Sequence, residues 1–83
     1  MATTNYPIVK ADGWTKIADD GVDFQAENKH HQETIHYTFS VGAPAANAPF
    51  HRCKPGDFFI RAGSAGNCYI LNPSAAQVTV TVS

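Results

Sequence analysis

The sequence predicts an all-β fold, a small antiparallel β-sandwich or flattened barrel of about seven to eight short strands. Three observations carry that expectation. Leu, Met, Glu, Lys and Arg, which lose little rotamer freedom in a helix, total ten residues, against 27 of the β-branched and aromatic types that suit a pleated surface. No segment of helix length repeats apolar residues at i, i+3, i+4 and i+7. Turn residues recur about every eight to twelve positions, the rhythm of a sandwich or barrel. The 83 residues suffice for a single domain, residues 1–83. A domain of this size buries only about 60% of the surface its unfolded chain exposes, so contacts with a partner would add to its stability.

Taken in order, Met1 to Asn5 is polar and reads as a short flexible arm, about residues 1–5, loose or ordered on a partner. Tyr6 to Val9 reads as a short edge strand, since Pro7 cannot donate to a ladder. Trp14 to Ala18 reads as a strand. After Asp20-Gly21 comes a run with Val22, Phe24 and Ala26 on one face and Asp23, Gln25 and Glu27 on the other. Asp-Gly between two such runs predicts a hairpin with a type I′ turn. Asn28 to Gln32 reads as a polar turn. Thr34 to Val41 is the clearest strand, with Ile35, Tyr37, Phe39 and Val41 on a dry face.

Gly42 to Pro49 (GAPAANAP) is a loop of small residues stiffened by Pro44 and Pro49. Phe50 to Cys53 is a short strand, and Lys54-Pro55-Gly56-Asp57 suits a type II turn. From Asp57 to Ala62 the chain is again extended. Phe58 and Phe59 fall on opposite faces, so this strand is either central in a sandwich or at an interface. Gly63 to Asn67 is a flexible turn, Cys68 to Leu71 a second two-sided apolar strand, and Asn72 to Ala76 a turn. Gln77 to Ser83 closes the chain, with Val78, Val80 and Val82 inward and Thr79 and Thr81 outward. The expected core includes Ile35, Tyr37, Phe39, Val78, Val80 and Val82.

The net charge of -1 argues against a nucleic-acid binder that works by neutralising phosphates. No apolar run is long enough for a membrane span, and no apolar stretch near the start suggests a signal peptide, so synthesis in a cytoplasm is expected. Neither nucleic acid nor membrane is an expected partner. Cys53 and Cys68 are too few for a disulfide scaffold; they would pair only on neighbouring strands, and buried free thiols are expected.

His30, His31, His36 and His51 raise the question of a metal site, with Cys53 and Cys68 as further ligands. Their spacing fits no structural zinc pattern, so no metal and no cofactor is expected. One histidine per subunit on a trimer axis is the variant that would share an ion. Asp19, Asp20 and Asp23 suggest calcium, but the position where an EF-hand loop needs its bidentate Glu is His30. Ser64 and Ser74 lie in turns with no neighbouring base. No nucleophile elbow or phosphate loop is present, and a thiol catalyst built on Cys53 and a histidine has little room for a pocket. The chain is not expected to be an enzyme.

The remaining signal is surface. Two-sided apolar strands, exposed Thr rows and an Ala/Pro loop describe a protein that packs against others. The loop loses little entropy on docking and lets backbones approach closely. The candidate interface is therefore Ala43, Pro44, Ala45, Ala46, Asn47, Ala48 and Pro49, together with Ala2, Thr3, Thr4, Asn5, Tyr6 and Pro7 of the arm.

Three stretches carry a resemblance that covers nearly all of the chain: WTKIADDGVDFQAEN, IHYTFSVGAPAANAPF and CKPGDFFIRAGSAGNCYILNPSAAQVTVTVS. Together they resemble the small virion structural proteins of tailed bacteriophages, of the head-decoration (cement) or head-fibre type. The histidine cluster and the two cysteines depart from that pattern. The resemblance implies a non-enzymatic protein on the capsid exterior, made in the bacterial cytoplasm. Its partner would be the major capsid protein, which it would bind as a homo-oligomer, a trimer being favoured, to stabilise the head. The alternative is a tail- or fibre-associated β-domain that binds host-surface glycan or another virion protein, with Tyr6, Trp14 and Tyr69 as groove aromatics.

Overall fold

The computed structural model describes residues 3–45, 47–62 and 66–83. The strands are β1 (Thr4–Ile8), β2 (Thr15–Ala18), β3 (Phe24–Asn28), β4 (Ile35–Ser40), β5 (His51–Cys53), β6 (Phe58–Arg61), β7 (Asn67–Leu71) and β8 (Val78–Val82). A single 3-10 turn, Lys10–Asp12, joins β1 to β2. The strands form two antiparallel four-stranded sheets, the first in the order β1-β8-β3-β6 and the second β2-β7-β4-β5. This is the all-β sandwich that composition and alternation predict.

One core lies between the sheets. The first contributes Ile8, Phe24, Ala26, Val78, Val80 and Val82, the second Ile17, Ile35, Cys53, Cys68 and Ile70. The expected alternation of β8 is present, with its three valines buried at the centre of the first sheet. Ile35 is fully buried, whereas Tyr37 and Phe39 sit half-buried at the rim. There Tyr37 stacks on Phe59 at 3.8 Å and meets Phe39 edge-on at 6.0 Å. Val41 departs from the expected dry face: β4 ends at Ser40, and Val41 is 91% exposed.

The expected hairpin at Asp20-Gly21 is not formed. β2 pairs with β7, while β3 pairs with β6 and β8, so the Asp19–Val22 turn is a corner that carries the chain between sheets. Its Val22 N–H donates to Asp19 O at 3.3 Å, and Gly21 has φ +84. Asp20 lacks the positive φ that a type I′ turn requires at its first central residue. The corner is held from outside: Asp20 N–H donates to Asn67 Oδ1 at 2.9 Å, and the Arg61 guanidinium donates to the Asp19 and Val22 carbonyls at 2.6 and 2.9 Å. Val22, expected on one face with Phe24 and Ala26, is exposed whereas those two are buried. Its expected place in the alternation is taken one step beyond the run, by Asn28.

The type II turn at Lys54–Asp57 is present, with Asp57 N–H on Lys54 O at 3.0 Å and Gly56 at φ +74. β7 is central and buried on both sides through Cys68, Tyr69 and Ile70. β6 is an edge strand, which excludes a central place for it and leaves Phe58 and Ile60 on the surface.

The N-terminal residues differ from expectation. Thr4 and Asn5, assigned to a loose arm, are strand residues opposite Val82 and Thr81, and Tyr6 and Pro7 follow opposite Val80 and Thr79. Thr81 Oγ1 donates to Asn5 Oδ1 at 2.8 Å. The backbone of β8 offers a ladder partner that a count of apolar side chains does not reveal. Ala2, Ala46 and Ser64 lie outside the described residues.

Candidate functional site: the loop from Val41 to Phe50

β4 and β5 pair only over Ile35↔Cys53, His36↔Arg52 and Tyr37↔His51. The next inward position in that register sets Pro49 opposite Phe39. Proline has no N–H to offer, so the ladder ends there. The two chains part and enclose a cleft of about 400 Å³. One side is Thr38, Phe39 and Ser40; the other is Ala43, Pro44, Ala45, Ala48 and Pro49, and none of these is charged.

Contacts within the chain hold the loop in place. Trp14 Nε1 donates to Ala45 O at 3.1 Å, which ties the loop to the segment before β2. Ala48 N–H donates to the same Ala45 carbonyl at 3.0 Å and closes a tight turn. Asn67 Nδ2 donates to Val41 O at 3.1 Å at the loop's start. At its end, Phe50 stacks on His36 at 3.9 Å, with the Arg52 guanidinium carbon 5.7 Å from the Phe50 ring. Phe50 remains 41% exposed, so a large apolar residue flanks each end of the small-residue loop.

His36 is the electrostatic feature of this face. Its Nδ1 is buried with no hydrogen-bond partner, and burial, reinforced by Arg52 directly across the ladder, lowers its pKa. The other histidines do not join it. His30 and His31 stack on each other at 4.9 Å, and His30 Nδ1 accepts the Gln32 and Glu33 N–H groups at 3.0 Å. His51 lies against Tyr37 at 5.3 Å. Among the described residues no three His, Cys, Asp or Glu side chains converge on a metal position.

The two cysteines are buried free thiols. β4 lies between their strands, and their partners on it, Ile35 and Phe39, are four residues apart. Strand geometry then sets the two roughly 16 Å apart, far beyond the reach of a disulfide of about 7 Å. Cys53 donates its thiol to Asp57 O at 3.4 Å, and burial raises its pKa. Burial pushes Cys68 up to about 12. Both are held as thiols, the unreactive form.

The loop half of the sequence-predicted interface is thus built around a cleft on the second sheet. The β1 residues Thr4 to Pro7 lie at an edge of the first sheet. None of the three aromatics proposed for a groove stands exposed. Tyr6 packs against the core, Tyr69 is buried in the second sheet, and Trp14 is half-buried with its indole N–H in use. Among the described residues, three buried polar ones escape the sequence reading: Asn28, Arg61 and Asn72. Extending the Phe24, Ala26 alternation one step would have found Asn28, and the same parity puts Arg61 beside Phe59 on the inward face.

No protein-family model, curated protein or solved structure matches this chain.

Proposed function

We propose that this chain is a non-enzymatic structural protein of a tailed-bacteriophage virion, a decoration (cement) protein that docks on the capsid exterior through the Val41–Phe50 loop and stabilises the head. The observation that carries the reading is the loop itself. It is uncharged along its cleft, tied down at Val41, Ala45 and Phe50, and flanked by two exposed large apolar residues. A platform ordered in advance loses little entropy on docking, and exposed apolar residues beside it supply burial area. The resemblance noted in the sequence supplies the assembly, and the major capsid protein is the partner that follows from it. A protein that binds only the assembled shell stabilises that shell by mass action. The burial of Tyr69 and the partial burial of Tyr6 and Trp14 argue against the glycan-binding alternative, which needs exposed aromatics in one groove.

The test is binding to capsids that lack the protein. Purified wild-type chain is expected to bind and raise their thermal stability. A Val41→Ser, Phe50→Ser double variant that keeps its β-type circular dichroism is expected to lose both effects. Wild-type binding by the folded variant would contradict the docking claim, and no binding by the wild type would contradict the function.

A further inference from the structure

A sheet edge is a template for another strand unless something blocks it. This sandwich has four edges, β1, β6, β2 and β5, and three of them carry a block. β1 contains Pro7, which has no N–H. β2 is irregular between Lys16 and Ala18 and presents the Lys16 ammonium, paired to Asp19 at 2.8 Å. β5 is three residues long and presents Arg52.

β6 has none of these. Its register with β3 is unbroken, and it contains neither Pro nor Lys. Its single charge, Arg61, points inward, where it is buried over the Phe24 and Phe39 rings and donates to the Asp19, Val22 and Gly66 carbonyls. Outward it presents Phe58 and Ile60, 52% and 65% exposed.

The ladder also fixes which backbone groups face the free side. Asn28 N–H donates to Asp57 O at 2.9 Å, so by the alternation of the ladder Phe59 and Arg61 direct their amides toward β3. Phe58 and Ile60 therefore direct theirs away from the sheet. Phe58 N–H is already occupied by the Asp57 carboxylate at 3.0 Å. The edge is thus centred on Ile60.

We propose that the free edge of β6 is a self-association site: a second copy of this chain adds its own β6 antiparallel, across a two-fold axis at Ile60, and joins two four-stranded sheets into one of eight. Antiparallel pairing is self-complementary under such an axis, so one surface serves both copies. A register that sets Ile60 opposite Ile60 uses both groups of that residue in two hydrogen bonds and leaves the Asp57–Phe58 contact in place. It sets Phe58 opposite Ala62, and outward faces remain on one side, as the pleat requires.

A four-residue edge buries far less than the roughly 1,200 Å² of a standard stable interface. The pairing is accordingly weak in dilute solution and takes effect where copies are crowded or fixed side by side. It differs from the three-fold association that the sequence resemblance implies, and it does not depend on the virion reading.

Two measurements test it. Opposed residues in a hydrogen-bonded antiparallel pair are about 5.5 Å apart at Cα, which suits a disulfide. Ile60→Cys protein in oxidised glutathione is expected to form a covalent dimer at least about tenfold faster than Val41→Cys, whose site is more exposed but unpaired. Equal or slower cross-linking at residue 60 would overturn the proposal. With wild-type protein, amide NMR shifts at residues 58–62 are expected to move with concentration up to the millimolar range, and Ile60→Lys is expected to abolish the movement. Shifts that stay fixed, shifts that map elsewhere, or a discrete trimer would also overturn it.

Discussion

At the scale of single residues, the sandwich is closed by polar groups as much as by its aliphatic core. Asn72 Nδ2 donates to Ile8 O and Ala76 O at 2.9 and 2.7 Å, and its Oδ1 accepts Ser74 N–H at 2.9 Å. Asn28 does the same elsewhere, donating to Glu33 O and Cys53 O at 2.7 and 3.2 Å and accepting His30 N–H at 3.0 Å. Each is a side chain standing in for a missing strand. Asn72→Ala is expected to cost about 1–3 kcal/mol, because it strands buried carbonyls; a urea midpoint equal to wild type would refute this. Arg61→Met keeps the apolar stem but removes three donated bonds, and is expected to cost about 3 kcal/mol or more in the same measurement. With its pKa pushed up to about 12, Cys68 is expected to resist iodoacetamide in the native protein at pH 8 and to react fully in denaturant, as read by mass spectrometry. These roles were hard to read in advance because Asn and Arg are surface residues by type. Only the strand parity of Asn28 and Arg61 hints otherwise, and Asn72 looked like ordinary turn chemistry.

At the scale of elements, strands whose side chains alternate cleanly were legible and connections were not. β8 and the inner half of β4 follow their valine and aromatic periodicity into the core. Asp20-Gly21 carries the signal of a hairpin, yet β2 and β3 belong to different sheets. A turn motif reports that the chain reverses, not which strand receives it, and long-range pairing with β7 and β8 decided the matter. β1 was shortened for a related reason: its first residues are held by backbone bonds to β8 rather than by apolar burial. The loop was placed correctly, but its attachment to Trp14, Asn67 and His36 joins residues 14 to 67 along the chain and has no local signature. That attachment carries a pH dependence. The folded chain holds His36 below its ordinary value of 6.5. Between those two values the unfolded chain binds the extra proton and the folded chain does not. Stability is therefore full above about pH 6.5, falls as the pH drops toward the folded value, and then levels off. His36→Gln is expected to show a smaller loss of urea midpoint between pH 7 and pH 5 than wild type; an equal loss would show that His36 is not the group responsible.

At the scale of the whole molecule, the two sheets present different surfaces. The second carries the uncharged loop, tied at Val41, Ala45 and Phe50, and the first carries the free edge at β6. If the proposed docking loop and the proposed β6 edge both act, they suit an assembly in which many copies lie side by side. Gly66 joins the two halves. Its φ is +91, and a Cβ there would lie 2.9 Å from the Ser40 backbone. Gly66→Ala is therefore expected to cost about 2 kcal/mol or more and to loosen the end of β4 where the loop begins. An unchanged melting temperature would contradict this. The central claim, a decoration protein docked on a capsid, is tested most directly by counting. On the proposed reading, the particles to purify are those of a phage encoding this sequence, and quantitative mass spectrometry of them gives the ratio of this chain to the major capsid protein. The account predicts a ratio of the order of one copy per few capsid subunits, on heads separated from tails. A handful of copies per particle, copies confined to tails, or absence from the particle would contradict it.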